Sequence, residues 1–508
     1  MSERILFVTS NGTGLGHLTR SMAIARRLDE SLEPLFFTLS AAAPVVRELG
    51  FPVEYAASYG TPGTGNDWRW SRRLRGRLRA VIAEAQPAVL VFDGTHPYEA
   101  LLGAMRGFDD LRTVWSRRPL WRAGSSRAPL GRTGSFDAVL EPGELAAAED
   151  RGPTVARRGE VHAVAPIVLL DRSELLPRGD AARELALDPA ATNVLVALGQ
   201  GAEVRDATKR CLRRLADREG VQVAALSSAL ERVGAVPDGV VALRATYPIS
   251  RYYAAFDAAV SAAGYNAYHE LIALGVPSLF VPMPRETDDQ PARARFAAEA
   301  GLGWGIAGPG DPALESALDR LLDPQARGIV ASGLEAHRPP NGADEAAEWL
   351  AGLAGGEAGA AGSAASPKGS PVGAWARRWR TFFASAPATA LRLGRQLVTQ
   401  PRPRTLVFAL GLRGEALERG VAEALEQTPD PPARTLVITD SLELAALRDL
   451  GFGVEQVPAA GERQAELAGG DYEAFLRWRV ELILAERPRP RRVLVAPGSR
   501  PAPDGVSS

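Results

Sequence analysis

Short uninterrupted apolar runs at Ile5–Val8, Leu35–Phe37 and Val89–Phe92 alternate with stretches such as Arg20–Leu28 and Arg72–Ala85, where apolar residues return at helical spacing. Runs without polar alternation predict buried strands, and strands alternating with helices predict a parallel sheet. A second series begins at Val194–Leu198 and continues through Val221–Ala225, Val240–Ala242, Ala258–Ser261 and Ser278–Val281. It closes with a helix over Asp344–Leu353, after an Asn341–Gly342 turn. The pattern predicts an α/β protein in which two Rossmann-like units, 1–165 and 166–353, face each other so that their strand carboxyl ends share one cleft.

Residues 354–373, rich in Gly, Ala and Ser, carry no apolar period and read as a linker. A basic aromatic stretch, 374–402, follows. From 403 to 508 the chain echoes its own beginning. Thr38–Tyr55 (TLSAAAPVVRELGFPVEY) aligns with Thr439–Gln456 (TDSLELAALRDLGFGVEQ), and Arg77–Gly94 with Arg479–Gly498 across a two-residue insertion. An internal repeat accounts for this, and 403–508 is expected to be a degenerate Rossmann-like accessory domain. Where the first unit has SNGTGLGHLTR after its opening strand, the third has ALGLRGEALER, without a histidine. The third unit is therefore expected to be non-catalytic, serving acceptor recognition, assembly or regulation.

Length and charge narrow the classes. At 508 residues the chain exceeds a single core, and a net charge of −1 gives no global electrostatic case for nucleic acid. One cysteine, Cys211, rules out a disulfide framework and reads as a structural thiol on a helix. The first residues have no room for a signal-peptide core, and no segment reaches the roughly 20 apolar residues of a spanning helix, so a cytoplasmic protein is expected. Two stretches interleave aromatics with arginine: Trp115–Arg122 (WSRRPLWR), and Trp375–Arg395 with five arginines and no acid. Such sequences meet anionic acceptors and membrane surfaces, and equally pack against a neighbouring domain. Peripheral contact with the inner face of a membrane is thus one expectation.

The chemistry concentrates in two loops. After the second unit's strand Ala258–Ser261, Gly264, Tyr265 and Asn266 open a helix whose amino terminus is an anion seat. Glu270 follows on that helix, where a carboxylate suits ribose hydroxyls, and Asp288, Asp289 and Gln290 lie behind the next strand as short polar groups suited to a sugar. Gly199, Gln200 and Gly201 form a second turn with backbone donors. In the first unit, Asn11, Gly12, Thr13, Gly14 and Gly16 make an acceptor or phosphate loop directly before His17. Its G-x-G-x-G spacing differs from the dinucleotide fingerprint, and the downstream acidic residue is missing, which argues against hydride transfer. Asp93 and His96 end a strand on the same rim, as alternative bases or as partners of His17.

Taken in order, these motifs resemble the GT-B glycosyltransferases of family 28. The resemblance implies that Glu270 binds ribose, that Ser261–Asn266 holds the donor diphosphate, that Asp289 and Gln290 touch the donor sugar, and that a UDP-sugar is the donor. The histidine after the glycine loop fits a general base, with the leaving diphosphate steadied by the Gly264 and Gly201 turns. No D-x-D motif and no histidine ligand spacing is present, so metal-independent chemistry without a cofactor is expected. The expected function is inverting transfer of a sugar to an acceptor hydroxyl, with a lipid-linked or envelope glycan as one acceptor class. An epimerase of the same fold and a non-catalytic nucleotide-sugar binder are the alternatives.

Overall fold

The computed structural model describes residues 3–10, 15–61, 64, 67–199, 202–226, 236–243, 246–356, 403–485, 487 and 489–503. Asn11, Gly12, Thr13, Gly14, Gln200 and Gly201, with most of the expected linker and all of the basic aromatic segment (357–402), lie outside them.

Three parallel sheets organise the chain. The first has seven strands in the spatial order Val53–Tyr55, Leu32–Thr38, Glu3–Thr9, Val89–Asp93, Arg112–Ser116, Ala138–Pro142 and His162–Val164. The second has six: Val240–Leu243, Val221–Leu226, Thr192–Ala197, Ala258–Ala262, Ser278–Val281 and Trp304–Gly305. The opening strand shows why its apolar run lacks alternation. Ile5 and Phe7 join one apolar cluster and Leu6 and Val8 another, on opposite faces of a sheet covered on both sides. Parallel register, such as Val8 opposite Phe92 and Thr9 opposite Asp93, brings the strand carboxyl ends to one rim.

The second series does not end where it began. Helix Gly342–Ala354 leaves the second sheet and packs on the first: Ala343, Ala346, Leu350 and Leu353 lie in the cluster that holds Ile5 and Phe7. His162 stacks on Trp349 with ring centroids 4.4 Å apart. The expected Asn341–Gly342 turn is the cap of this helix, with the Ala343 N–H donating to Asn341 Oδ1 at 3.1 Å. Gly342 permits the docking, because a Cβ there would stand 1.9 Å from the Ala165 carbonyl oxygen.

The third sheet has four strands in the order Gly453–Gln456, Thr435–Thr439, Thr405–Ala409 and Arg492–Val495. That order repeats the first four strands of the first sheet, as the internal echo predicts. The third unit packs on the first, helix Tyr472–Leu484 against helix Asp67–Ala85, and Val407, Leu447 and Val454 share an apolar cluster with Phe36 and Val53. Among the described residues, no helix is long and apolar enough to cross a membrane.

Candidate active site

The rims of the first two sheets enclose a cavity of about 730 Å³, the size of a small-molecule site. Ser10, Gly16, His17, Thr95, His96 and Arg118 line it from the first unit; Gly199, Gly264, Asn266, Asp288 and Gln290 are among those facing them from the second.

His17 sits on the first turn of helix Gly16–Ala25, and its Nδ1 lies 2.6 Å from Asp93 Oδ1 at the end of the adjacent strand. Asp93 is 1% exposed and fully engaged. Arg20 donates to it through Nε (3.1 Å) and Nη2 (2.5 Å), and the Ser116 hydroxyl donates at 3.0 Å. Burial alone would raise this carboxyl, but the Arg20 charge and the His17 contact outweigh it and hold it down to about 2. Asp93 is therefore an anion at neutral pH. It accepts a hydrogen bond from the His17 Nδ1–H and leaves Nε2, with its lone pair, for the cavity. Burial lowers the His17 pKa below its ordinary value, and the Asp93 hydrogen bond and charge offset this only in part. The ring is thus neutral and able to accept a proton. His96 stands exposed at the cavity rim.

Opposite His17, Gly264 is the N-cap of helix Tyr265–Leu274 and adds no side chain over the first amides. Its φ of −70° is open to any residue, so its value lies in the uncovered helix terminus. Gly199, with φ +83°, does need glycine.

Ion pairs join the two units beneath the cavity. Arg293 donates to Glu144 (2.8 Å) and to Asp288 (2.9 Å), and Arg118 donates to Asp288 from the first unit (3.0 Å). Burial opposes ionisation of both carboxyls. Arg293 and Arg118 hold Asp288 well below the usual range, and Arg293 with His269 holds Glu144 down to about 2. Leu120–Arg122 runs against Thr287–Asp289: the Arg122 N–H donates to Thr287 O (2.7 Å) and the Asp289 N–H to Leu120 O (3.1 Å). The stretch WSRRPLWR is accordingly a seam between the units. Trp115 and Trp121 are buried, so it presents no aromatic surface to a membrane, although Arg118 reaches the cavity.

Residues 224–327 match the family model described as the glycosyltransferase family 28 C-terminal domain. The UDP-N-acetylglucosamine–N-acetylmuramyl-(pentapeptide) pyrophosphoryl-undecaprenol N-acetylglucosamine transferase of Burkholderia orbicola (strain MC0-3) is 29% identical over 388 residues, spanning 70% of this chain and 97% of that protein. Its counterpart in Burkholderia multivorans is 28% identical over 384 residues, with the same coverage. The chain is a glycosyltransferase similar to those of family 28. Among solved structures, Acinetobacter baumannii MurG aligns with a TM-score of 0.45 and 16% identity over 68% of this chain and 99% of that one.

Of the residues expected to hold the donor, Tyr265, Asn266 and Gln290 line the cavity, whereas Ser261, Glu270 and Asp289 are not among its lining residues. Ser261 is 1% exposed inside strand Ala258–Ala262, its hydroxyl donating to the Ala262 carbonyl, away from the cavity lining. Asp289 caps helix Gln290–Glu299, its Oδ1 accepting from the Ala292 N–H at 3.2 Å. Tyr265 directs its hydroxyl to the Gly143 carbonyl (2.9 Å) and the Ile167 N–H (3.1 Å), bracing the units. Asn266 reaches across to Arg20 Nη1 (3.3 Å) and the Gly16 carbonyl (3.3 Å). Gln290 lines the cavity while accepting from the Met283 N–H (2.9 Å) and donating to Asp288 (3.1 Å). Glu270 is 7% exposed and is not among the residues lining this cavity; burial pushes its carboxyl up to about 7, against a hydrogen bond from the Leu169 backbone. Sequence reasoning passed over Arg20, Ser116, Glu144 and Arg293. Arg20, one helical turn from His17 on the same face, carried a readable signal; the others meet their partners only through the fold.

Proposed function

We propose that the transferase moves a sugar from a UDP-sugar to an acceptor hydroxyl by direct displacement with inversion. The His17–Asp93 pair, set across a cavity from the open amino terminus of helix Tyr265–Leu274, carries this reading. His17 Nε2 takes the acceptor proton as the hydroxyl oxygen bonds to the anomeric carbon. The bond from that carbon to the phosphate oxygen breaks, and the nucleoside diphosphate leaves with the electron pair. Asp93 stabilises the imidazolium that forms, and the helix terminus stabilises the leaving phosphates. Arg118, ion-paired with Asp288, is a basic group on the first-unit wall.

UDP-N-acetylglucosamine is the first donor to assay and a lipid-linked pyrophosphoryl sugar the first acceptor, since the Burkholderia relatives are named for both. Such an acceptor would draw the protein to the inner face of a membrane. Independence of a metal ion is part of this proposal, and turnover that persists in EDTA is the expected result. His17→Ala should keep the donor dissociation constant by calorimetry and lower turnover by about 10²–10⁴-fold. Full turnover in His17→Ala would remove histidine as the base.

A further inference from the structure

The contact between the first and third units has the form of a two-fold interface. In the alignment of the repeat, Glu54 corresponds to Glu455 and Arg77 to Arg479. Arg77 Nη1 donates to Glu455 Oε2 at 3.2 Å, and Arg479 Nη2 donates to Glu54 Oε2 at 3.1 Å. Residue i of one unit thus meets residue j of the other, and j meets i, the mark of an isologous contact. The same relation holds for larger parts. Edge strand Val53–Tyr55 faces edge strand Gly453–Gln456, with the Tyr55 N–H donating to Gln456 Oε1 at 3.2 Å. Helix Asp67–Ala85 packs on helix Tyr472–Leu484, where Gly76 lies beside Leu482. All four charged groups are buried, Glu54 and Arg479 at 0% exposure, so the cross pairs are enclosed by the contact.

We propose that the third unit stands in for a second copy of the first: the face it covers on the first unit is self-complementary, and when the third unit is displaced that face takes the same face of another chain. An Arg77–Glu54 pair in each of two first units would reproduce both cross pairs found here. The occupied face would otherwise leave the edge strand Val53–Tyr55 open to association.

The test uses the full chain. Arg479→Glu breaks the third unit's side of the contact and leaves Glu54 and Arg77 intact. The expected result is a protein that sediments at twice the wild-type mass, with raised hydrogen exchange in helix Tyr472–Leu484. Adding Arg77→Glu should return the mass to the wild-type value while that exchange stays high. If the reversed charge unfolds the third unit, the first-unit face is still uncovered, and exchange protection of strands Glu3–Thr9 and Val89–Asp93 verifies that the first unit is intact. A variant with raised exchange and unchanged mass overturns the proposal, as does a doubled mass that survives in Arg77→Glu/Arg479→Glu. Unchanged exchange in Arg479→Glu also overturns it, because the cross pairs would then not hold the face.

Discussion

The first and third units share a strand order and differ in the loop that follows the opening strand. In the first, that loop leads to His17, whose partner Asp93 lies at the end of the fourth strand and whose free nitrogen faces a cavity. In the third, the protein's own carboxylates fill the corresponding place. The Gly411 N–H donates to Asp440 Oδ1 (2.8 Å), Arg413 Nη1 donates to the same oxygen (2.6 Å), and the Gly414 N–H donates to Glu443. Backbone donors that could seat a phosphate are already satisfied by internal anions. The same topology therefore carries an open site in one place and a closed one in the other, because chemistry resides in loops grafted on the fold.

The sharpest way to break this comparison is to remove the carboxylate from each loop region. Asp93→Asn should lower turnover by about 10⁴-fold, the scale seen when a base histidine loses its orienting carboxylate. Asp440→Asn should leave turnover unchanged. Equal losses in a steady-state assay would mean that the third unit takes part in the reaction.

A pH profile sharpens the same contrast with a smaller effect. The working form of His17 is neutral and its pKa is lowered by burial, so kcat/KM should fall with acid at an inflection below 6.5. Asp93 raises the His17 pKa, so in Asp93→Asn the inflection should move further to acid even as the rate drops. Asp440→Asn should not move it. Stability has its own window. The Asp93 pKa, lowered from 3.8 to about 2, contributes stability that is present above 3.8 and lost as pH falls from there towards 2.

The smallest effect separates a cap from a ligand. Asp289 in the second unit and Asp471 in the third both accept from a backbone N–H at a helix start, at 3.2 and 3.1 Å. Alanine at either should cost about 1 kcal/mol of stability in denaturant titration. Neither should move the donor KM. A raised donor KM in Asp289→Ala alone would return Asp289 to the sugar site.

Much of this was legible from local pattern. Apolar runs such as Ile5–Val8 mark strands covered on both faces, since a buried parallel strand must be apolar on each side. The LGF turns of the two repeats, the helix that starts at Gly16 beside His17, and Asp93 at a strand end also follow from short-range sequence, because strand, turn and helix are decided within a few residues. Fine roles were less legible. Asp289 sits in a polar loop whether it caps a helix or binds a sugar, and only the position of the Ala292 amide separates the two.

By itself, then, the sequence determined three α/β units, the kinship of the first and third, and a histidine loop and a glycine-capped helix aimed at one cleft. The tertiary structure decided which charges meet. Glu144 and Arg293 are 149 residues apart in the chain, and Arg77 and Glu455 are 378 apart. No local periodicity encodes such pairs, because their free energy arises only when packing removes both partners from water and leaves each as the other's counter-ion.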